Sequence, residues 1–204
     1  MAVFAKALSS PKRLALLQLL AQCERTVDEL ARAASMSMAN TSQHLQVLKR
    51  AGLVASSREG TSLRYRLSHT AVAEFLLSLR GMAEASIVEL RGSAHSDLEA
   101  VDGAALLARV QRGEVTVLDV RPVVEYDAAH LPHAVSIPVA ELAARLSELP
   151  KDRAVVAYCR GPYCEMAPDA VALLRQVGFD ASVLRDGVVE WRARGFPLSQ
   201  GDGR

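Results

Sequence analysis

Six residues near the C-terminal end carry the strongest chemical signal in the chain: Cys159, Arg160, Gly161, Pro162, Tyr163 and Cys164. They follow an apolar run, Ala154 to Tyr158, that reads as a buried strand. They precede a segment, Glu165 to Val177, with the apolar spacing of a helix. A thiol between a strand end and a helix start sits where unpaired backbone N–H groups and the positive end of the helix dipole favour an anion. The thiolate of Cys159 is thereby stabilised and the sulfur becomes nucleophilic. Arg160 adds a formal positive charge, and Gly161 and Pro162 suit a tight loop whose amides turn towards one centre. A cysteine at a strand end is often only a small buried hydrophobe. A core strand, however, has no need of Arg, Gly, Pro and a second Cys directly after it, and this favours a reactive site.

The elements that must hold this loop alternate in type. A helix is expected from about Asp102 to Arg112, and Val115 to Val120 is a buried strand running into Arg121 and Pro122. Leu131 to Val139 holds another short apolar run, Ala140 to Leu149 reads as helical, Val183 and Leu184 supply one more strand, and Glu190 to Arg194 a closing turn. Strands alternating with helices imply a small parallel sheet covered on both faces, with the ligand site at the carboxyl ends of its strands. Cys159 stands at such an end.

Three segments, LDVRPVVEYDAAHLPHAVSIP, VVAYCRGPYC and DGVVEWRARGFPL, resemble a single rhodanese domain over roughly residues 98 to 198. The resemblance implies that Cys159 accepts a sulfur atom as a persulfide inside a loop formed by Arg160, Gly161 and Tyr163, and passes it to a thiol acceptor. It implies that Asp119 and Arg121 form a structural pair near the loop and that His130 lies in the Ala-His-Leu-Pro turn. An Asp and an Arg at a strand end commonly hold loops together, and an architectural role is preferred for them. Two departures matter. Arg160 is the loop's single cation, whereas active thiosulfate enzymes of this family often display more than one. Cys164, at the far end, is either a resolving thiol that attacks a persulfide on Cys159 or a packing residue at the helix start. Phosphatase or arsenate chemistry is disfavoured, because no aspartate lies in or beside the loop to act as general acid.

With 204 residues, the chain has room for two small domains, and an odd count of three cysteines without an export signal fits a reducing compartment. Cytoplasmic location is expected, and no apolar run approaches the length needed to span a bilayer. Formal charge is +1 overall but unevenly spread. Residues 1–96 hold 12 Lys+Arg against 7 Asp+Glu, giving +5, and residues 97–204 hold 12 against 16, giving −4. A basic half joined to an acidic half points to a polyanion partner for the first.

That first half reads as helices followed by a hairpin. Residues 2 to 9 are helical, and Pro11 opens a second helix reaching Gln22 that is dense in leucine. Thr26 caps a third helix with Glu29 in the capping-box position, and after Ser35 to Ser37 a fourth runs to Arg50, where Gly52 ends it. Thr41, His44, Leu45 and Leu48 share its buried face. Ala39, Ser42, Gln43 and Gln46, flanked by Ser37, Asn40 and Arg50, form an outward face of hydroxyl and amide groups suited to reading base edges in a major groove. Ser62 to Leu67 then alternates, with Leu63, Tyr65 and Leu67 on one side and Arg64 and Arg66 on the other. Arg58 to Thr61 is the expected turn. Two helices joined by a tight turn and followed by a basic hairpin make a winged helix-turn-helix in which Arg58, Arg64 and Arg66 contact phosphate.

The segments SSPKRLALLQLL, ERTVDELARAASMSMANTSQHLQVLKRAGLV and REGTSLRYRLS resemble the ArsR family of bacterial winged-helix repressors over roughly residues 3 to 90. The resemblance implies a homodimer built from the first helix and a long helix from Thr70 to about Arg91, bound to an inverted-repeat operator in double-stranded DNA. The family's common thiolate pair falls on Thr26 and Asp28, neither of them cysteine, so no metal site is expected there. Cys23 stands alone, and His69 and His95 are read as polar surface residues.

A multidomain chain is therefore expected. It comprises a mainly α winged helix-turn-helix in residues 1–95 and an α/β rhodanese-like domain with a parallel sheet in residues 96–204, joined near Gly92 to Asp97. No cofactor is expected. The leading functional expectation is a DNA-binding repressor that senses reactive sulfur or another thiol-reactive signal through Cys159. The alternatives are a working sulfurtransferase and a catalytically silent partner module.

Overall fold

Leucines at helical spacing build the N-terminal unit. Helix α1 (Ala2–Leu8) and helix α2 (Pro11–Gln22) are joined by a two-residue break, with Pro11 at the first turn of α2. Arg13 ties them together, donating to the carbonyls of Ala7 at 2.5 Å and Lys6 at 2.8 Å at the end of α1. Leu16, Leu17, Leu19 and Leu20 are all buried, each worth about 1.5–3 kcal/mol of transfer free energy, so α2 is the central rod of this core. Strand β1 (Arg25–Thr26) leads directly into helix α3 (Val27–Ala33). The predicted capping box is formed: the Glu29 amide donates to the Thr26 hydroxyl at 3.3 Å, and the Thr26 amide to the Glu29 carboxylate at 2.7 Å. Ser37 caps helix α4 (Met38–Arg50), and Gly52 at φ +73° turns the chain away from its end.

The hairpin consists of β2 (Val54–Glu59) and β3 (Ser62–Leu67), which with β1 form an antiparallel sheet in the order β1-β3-β2. Helix α5 (Thr70–Ser86) follows, and its Phe75 meets Phe4 of α1 edge-on at 5.7 Å. The computed structural model of the protein describes residues 1–86 and 103–201. The expected linker, His95 and the last turns of the predicted long helix lie outside the described residues. By contact density the chain divides into two units, Met1–Gly81 and Met82–Arg204.

In the second unit α6 (Gly103–Gln111), β4 (Val115–Asp119), α7 (Val123–Ala128), β5 (Val135–Ser136), β6 (Ala154–Tyr158), α8 (Met166–Gln176), β7 (Ala181–Val183) and α9 (Val188–Ala193) follow in order. The four strands pair in parallel in the order β5-β4-β6-β7. Alternation along β6 explains why both faces are covered. Val155, Ala157 and Cys159 enter one core with Ala167, Val171 and Leu174 of α8, while Val156 and Tyr158 enter the other with Leu106, Val188 and Trp191.

Two expectations need correction. Ala140 to Leu149 is not an α-helix but two 3₁₀ turns, Leu142–Ala144 and Leu146–Glu148. Only Leu142 and Leu149 are fully buried there, so the segment gains more from pinning its ends than from presenting a continuous apolar face. Helix α7 was not anticipated, because its apolar residues Val123 and Val124 are exposed and its buried residue is a glutamate, Glu125.

Candidate active site and nucleic-acid interface

Cys159 leaves the end of β6 pointing into the core face that α8 covers, and it is only 3% exposed. Gly161 at φ +129° reverses the chain, and the Cys164 amide closes the turn on the Gly161 carbonyl at 3.1 Å. Both sulfurs therefore lie inside the curl. The backbone N–H groups of Gly161 and Ala167 reach Cys159, and those of Arg160 and Met166 reach Cys164. Met166 and Ala167 open α8, so the helix spends its unpaired amides on sulfur. Pro162 and Cys164 are half-buried, and Tyr163, 37% exposed, stands at the surface of the loop.

The two thiols hydrogen-bond to each other and behave as one acid. The Cys159 S–H also faces the Cys164 carbonyl at 3.3 Å. Donation from Cys159, then the amides of Arg160 and Met166 and the Arg160 charge, bring Cys164 down to about 6. Cys159 moves the other way, held protonated by its bond to Cys164 and by burial. The amides do converge, and Cys164 is the sulfur lowered because it accepts the hydrogen bond that Cys159 donates, with burial adding to the rise at Cys159.

Arg160 is not a free cation. Its Nε lies 3.0 Å from both oxygens of Glu125 and its Nη2 2.5 Å from one of them, and Glu125 is fully buried. Arg121, also fully buried, stands 4.0 Å from the same carboxylate and forks onto Asp119, with Nε–Oδ1 at 3.0 Å and Nη2–Oδ2 at 2.6 Å. Arg121 further donates to the Ala129 carbonyl at 2.8 Å. Tyr158 donates its hydroxyl to Asp119 and accepts from the Leu131 amide at 3.1 Å. Asp119 and Arg121 thus brace the strand end. His130 does the same for its turn, stacking on Tyr126 at 3.7 Å and facing the Tyr126 carbonyl at 2.9 Å.

Two residues at this site went unremarked in the sequence. Glu125 lies six residues beyond Asp119, and an acid inside the run Val123 to Tyr126 was the available signal. Gly187 packs so tightly on the loop that an added Cβ would lie 2.6 Å from the Arg160 backbone carbon and 2.7 Å from the Cys159 carbonyl oxygen. The Asp186-Gly187 pair just before a helix start was its signal.

On α4, Thr41, Leu45 and Leu48 are buried, while Ala39, Gln43 and Gln46 are exposed and Asn40, Ser42 and His44 half-buried. Burial, and then the charges of Arg13 and Lys12, hold His44 below the ordinary histidine range. Ser37 uses its hydroxyl to accept from the Asn40 amide at 3.3 Å, which makes it first a helix cap. Val47, 38% exposed, is an outward apolar neighbour of Gln43 that the sequence reading passed over; its signal was helical spacing of four from Gln43.

The three wing arginines do not form one row. Arg58 and Glu59 belong to β2, leaving Gly60 and Thr61 as the turn. Arg58 pairs across the ladder with Leu63, and cross-strand partners share a face, so Arg58 lies opposite Arg64 and Arg66. Arg64 pairs with Glu59 at 3.5 Å and Arg66 with Glu24 at 3.7 Å. Of the apolar side only Tyr65 is buried; Leu63, near the tip, is 41% exposed.

Residues 10–56 match the family described as bacterial regulatory protein, arsR family, and residues 102–194 match the rhodanese-like domain. Over 200 residues the chain is 46% identical to the HTH-type transcriptional regulator Rv0324 of Mycobacterium tuberculosis, covering 96% of this chain and 88% of that protein. It is 33% identical over 105 residues to a sulfurtransferase of Allochromatium vinosum, covering 50% of this chain and 96% of that one. The homodimeric winged helix-turn-helix fragment of Mb0332 from Mycobacterium bovis, solved in solution, is 41% identical, with 41% of this chain and 77% of that one covered and a TM-score of 0.40. Capped helix pair, hairpin and parallel sheet agree with matches that run through nearly the whole chain: it belongs to the ArsR family of helix-turn-helix transcriptional regulators and carries a C-terminal rhodanese-like domain.

Proposed function

We propose that this regulator is a cytoplasmic homodimer that represses from an inverted-repeat operator and reads reactive sulfur through its dithiol loop. The observation that carries the sensing step is the placement of Cys159 and Cys164 inside one loop, the Cys159 sulfur 3.3 Å from the Cys164 carbonyl, beneath converging amides. In this reading Cys159 passes its proton to Cys164 across their hydrogen bond and attacks the outer sulfur of a donor as the thiolate; the donor's S–S bond breaks, and the leaving thiolate departs with the electron pair. A persulfide on Cys159 is then attacked at its inner sulfur by Cys164, giving the Cys159–Cys164 disulfide and releasing hydrosulfide. The disulfide removes the charge and the proton-sharing bond that the amides of α8 hold in place, and a persulfide moves the charge one sulfur outward; each alters the packing of that helix start.

The exposed apolar residues Val3 on α1 and Leu79 and Met82 on α5 support the dimer. Gln43, Gln46, Asn40 and Ser42 would face the bases, with Val47 beside them for a thymine methyl, and Arg64 and Arg66 would exchange their glutamate partners for phosphate. Gel shifts on DNA upstream of its own gene, before and after polysulfide treatment, test the proposal. Loss of the shifted band on treatment, absent in Cys159→Ser, is expected; an unchanged shift from protein shown by mass spectrometry to carry the sulfur rejects it. The relative named as a sulfurtransferase favours a second reading, in which the domain turns over. Thiosulfate or persulfide turnover with a thiol acceptor, abolished in Cys159→Ser, would establish that.

A further inference from the structure

We propose that the loop takes sulfur from organic hydropersulfides and discriminates against thiosulfate and similar dianions, because Glu125 holds the loop's one guanidinium. This rests on the reading that the loop accepts sulfur. Arg160 is bound by both oxygens of Glu125, whose carboxylate is itself buried and lies 4.0 Å from Arg121. Asp119, Arg121, Glu125 and Arg160 thus form a chain of two carboxylates and two guanidiniums with no formal charge left over. From Cys159 to Asp169 the sequence offers no Lys or Arg besides Arg160. With Arg160 neutralised by Glu125, the loop segment itself offers a dianion no uncompensated guanidinium.

The two donors load this site unequally. With a hydropersulfide, Cys–S⁻ + R–S–SH gives Cys–S–SH + R–S⁻, and one negative charge is carried through the transfer. With thiosulfate, Cys–S⁻ + S–SO₃²⁻ gives Cys–S–S⁻ + SO₃²⁻, and three negative charges meet at the loop. Neither step needs an external oxidant or reductant. Glu125 is a positioning residue that acts through Arg160, and the discrimination is its consequence.

The test follows the rate at which oxygen-free, full-length protein reacts with cysteine persulfide or with thiosulfate. Intact mass spectrometry scores the one-sulfur adduct and the Cys159–Cys164 disulfide together. Like charges repel less when screened, so the thiosulfate rate should rise with added salt while the cysteine persulfide rate stays nearly level. A thiosulfate rate that falls with salt overturns the proposal, since it shows a cation attracting the dianion. Glu125→Gln should raise the ratio of the thiosulfate rate to the persulfide rate roughly tenfold by freeing Arg160. Equal changes with both donors overturn the proposal, as a general structural effect would produce them. Should that variant fail to fold, the wild-type salt dependence decides. If neither donor reacts at any salt concentration, the sulfur-accepting reading falls, and this inference with it.

Discussion

Alkylation of the loop as a function of pH exposes the proton-sharing pair directly. Cys164 titrates at about 6 against an ordinary value of 9.0, because Cys159 and two amides donate to its sulfur. At pH 6 about half of Cys164 is thiolate, against roughly one part in a thousand for an ordinary thiol. A weaker base is also a weaker nucleophile: with a Brønsted slope of about 0.45, a three-unit drop costs roughly twentyfold in intrinsic rate. The two effects together make Cys164 roughly twentyfold faster than an ordinary thiol at pH 6 and roughly tenfold slower at pH 9. Its rate should therefore be nearly flat above pH 7, where an ordinary thiol still climbs about tenfold per unit. Iodoacetamide trapping in a Cys23→Ser background, with peptide mapping of the modified sulfur, measures the profile. A rate that climbs steadily from pH 6 to 9, or trapping of Cys159 before Cys164, would refute the assignment of the first charge. Stability carries the same signature. Cys164, lowered on folding, contributes stability that is lost as pH falls through about 6 and is fully present only above its unfolded value of 9.0. Cys159, raised on folding, contributes stability below 9.0 that is lost as pH rises further. Their sum rises from pH 6 towards 9 and declines beyond it.

Gly187→Ala drives a methyl into the Arg160 and Cys159 backbone and should destabilise the C-terminal domain by about 1–3 kcal/mol, read from the fluorescence of Trp191, the chain's single tryptophan. An unchanged midpoint would show that the contact relaxes freely. Thr26→Ala removes the capping box of α3 and should lower N-terminal stability by about 1 kcal/mol in a denaturant titration followed by circular dichroism, with no change in sulfur uptake by the loop. Gln43→Ala and Gln46→Ala should each weaken operator binding by about 1–3 kcal/mol in anisotropy titrations while leaving affinity for unrelated DNA almost unchanged; an equal loss on both DNAs would remove these residues from base readout.

The sequence made the two-domain fold legible because each half repeats one physical signal. The leucines of α2, the Thr26–Glu29 capping box and the alternation of Ser62 to Leu67 are local patterns, and each forms as its pattern dictates. The loop between β6 and α8 was equally visible, since amides at a helix start are a local property. What escaped depended on contacts distant in sequence. Glu125 meets Arg160 across 35 positions, and no pattern within α7 reveals that pairing. The charge balance between the thiols depends on which sulfur accepts their mutual hydrogen bond, and then on burial, which residue identity does not encode. Arg58 was misplaced because the turn is two residues shorter than anticipated, and in a hairpin such a shift decides what belongs to the strand.

Sulfur on the dithiol loop should alter the grip of the winged helix on DNA. Fluorescence anisotropy with a labelled duplex from upstream of the gene, at one fixed salt concentration, measures it most directly. Reduced protein is compared with protein whose loop is shown by mass spectrometry to carry sulfur or the disulfide. Operator affinity should fall at least about fivefold on modification, and stay unaltered when Cys159→Ser protein receives the same treatment. Superimposable titration curves from reduced and fully modified wild-type protein would contradict it.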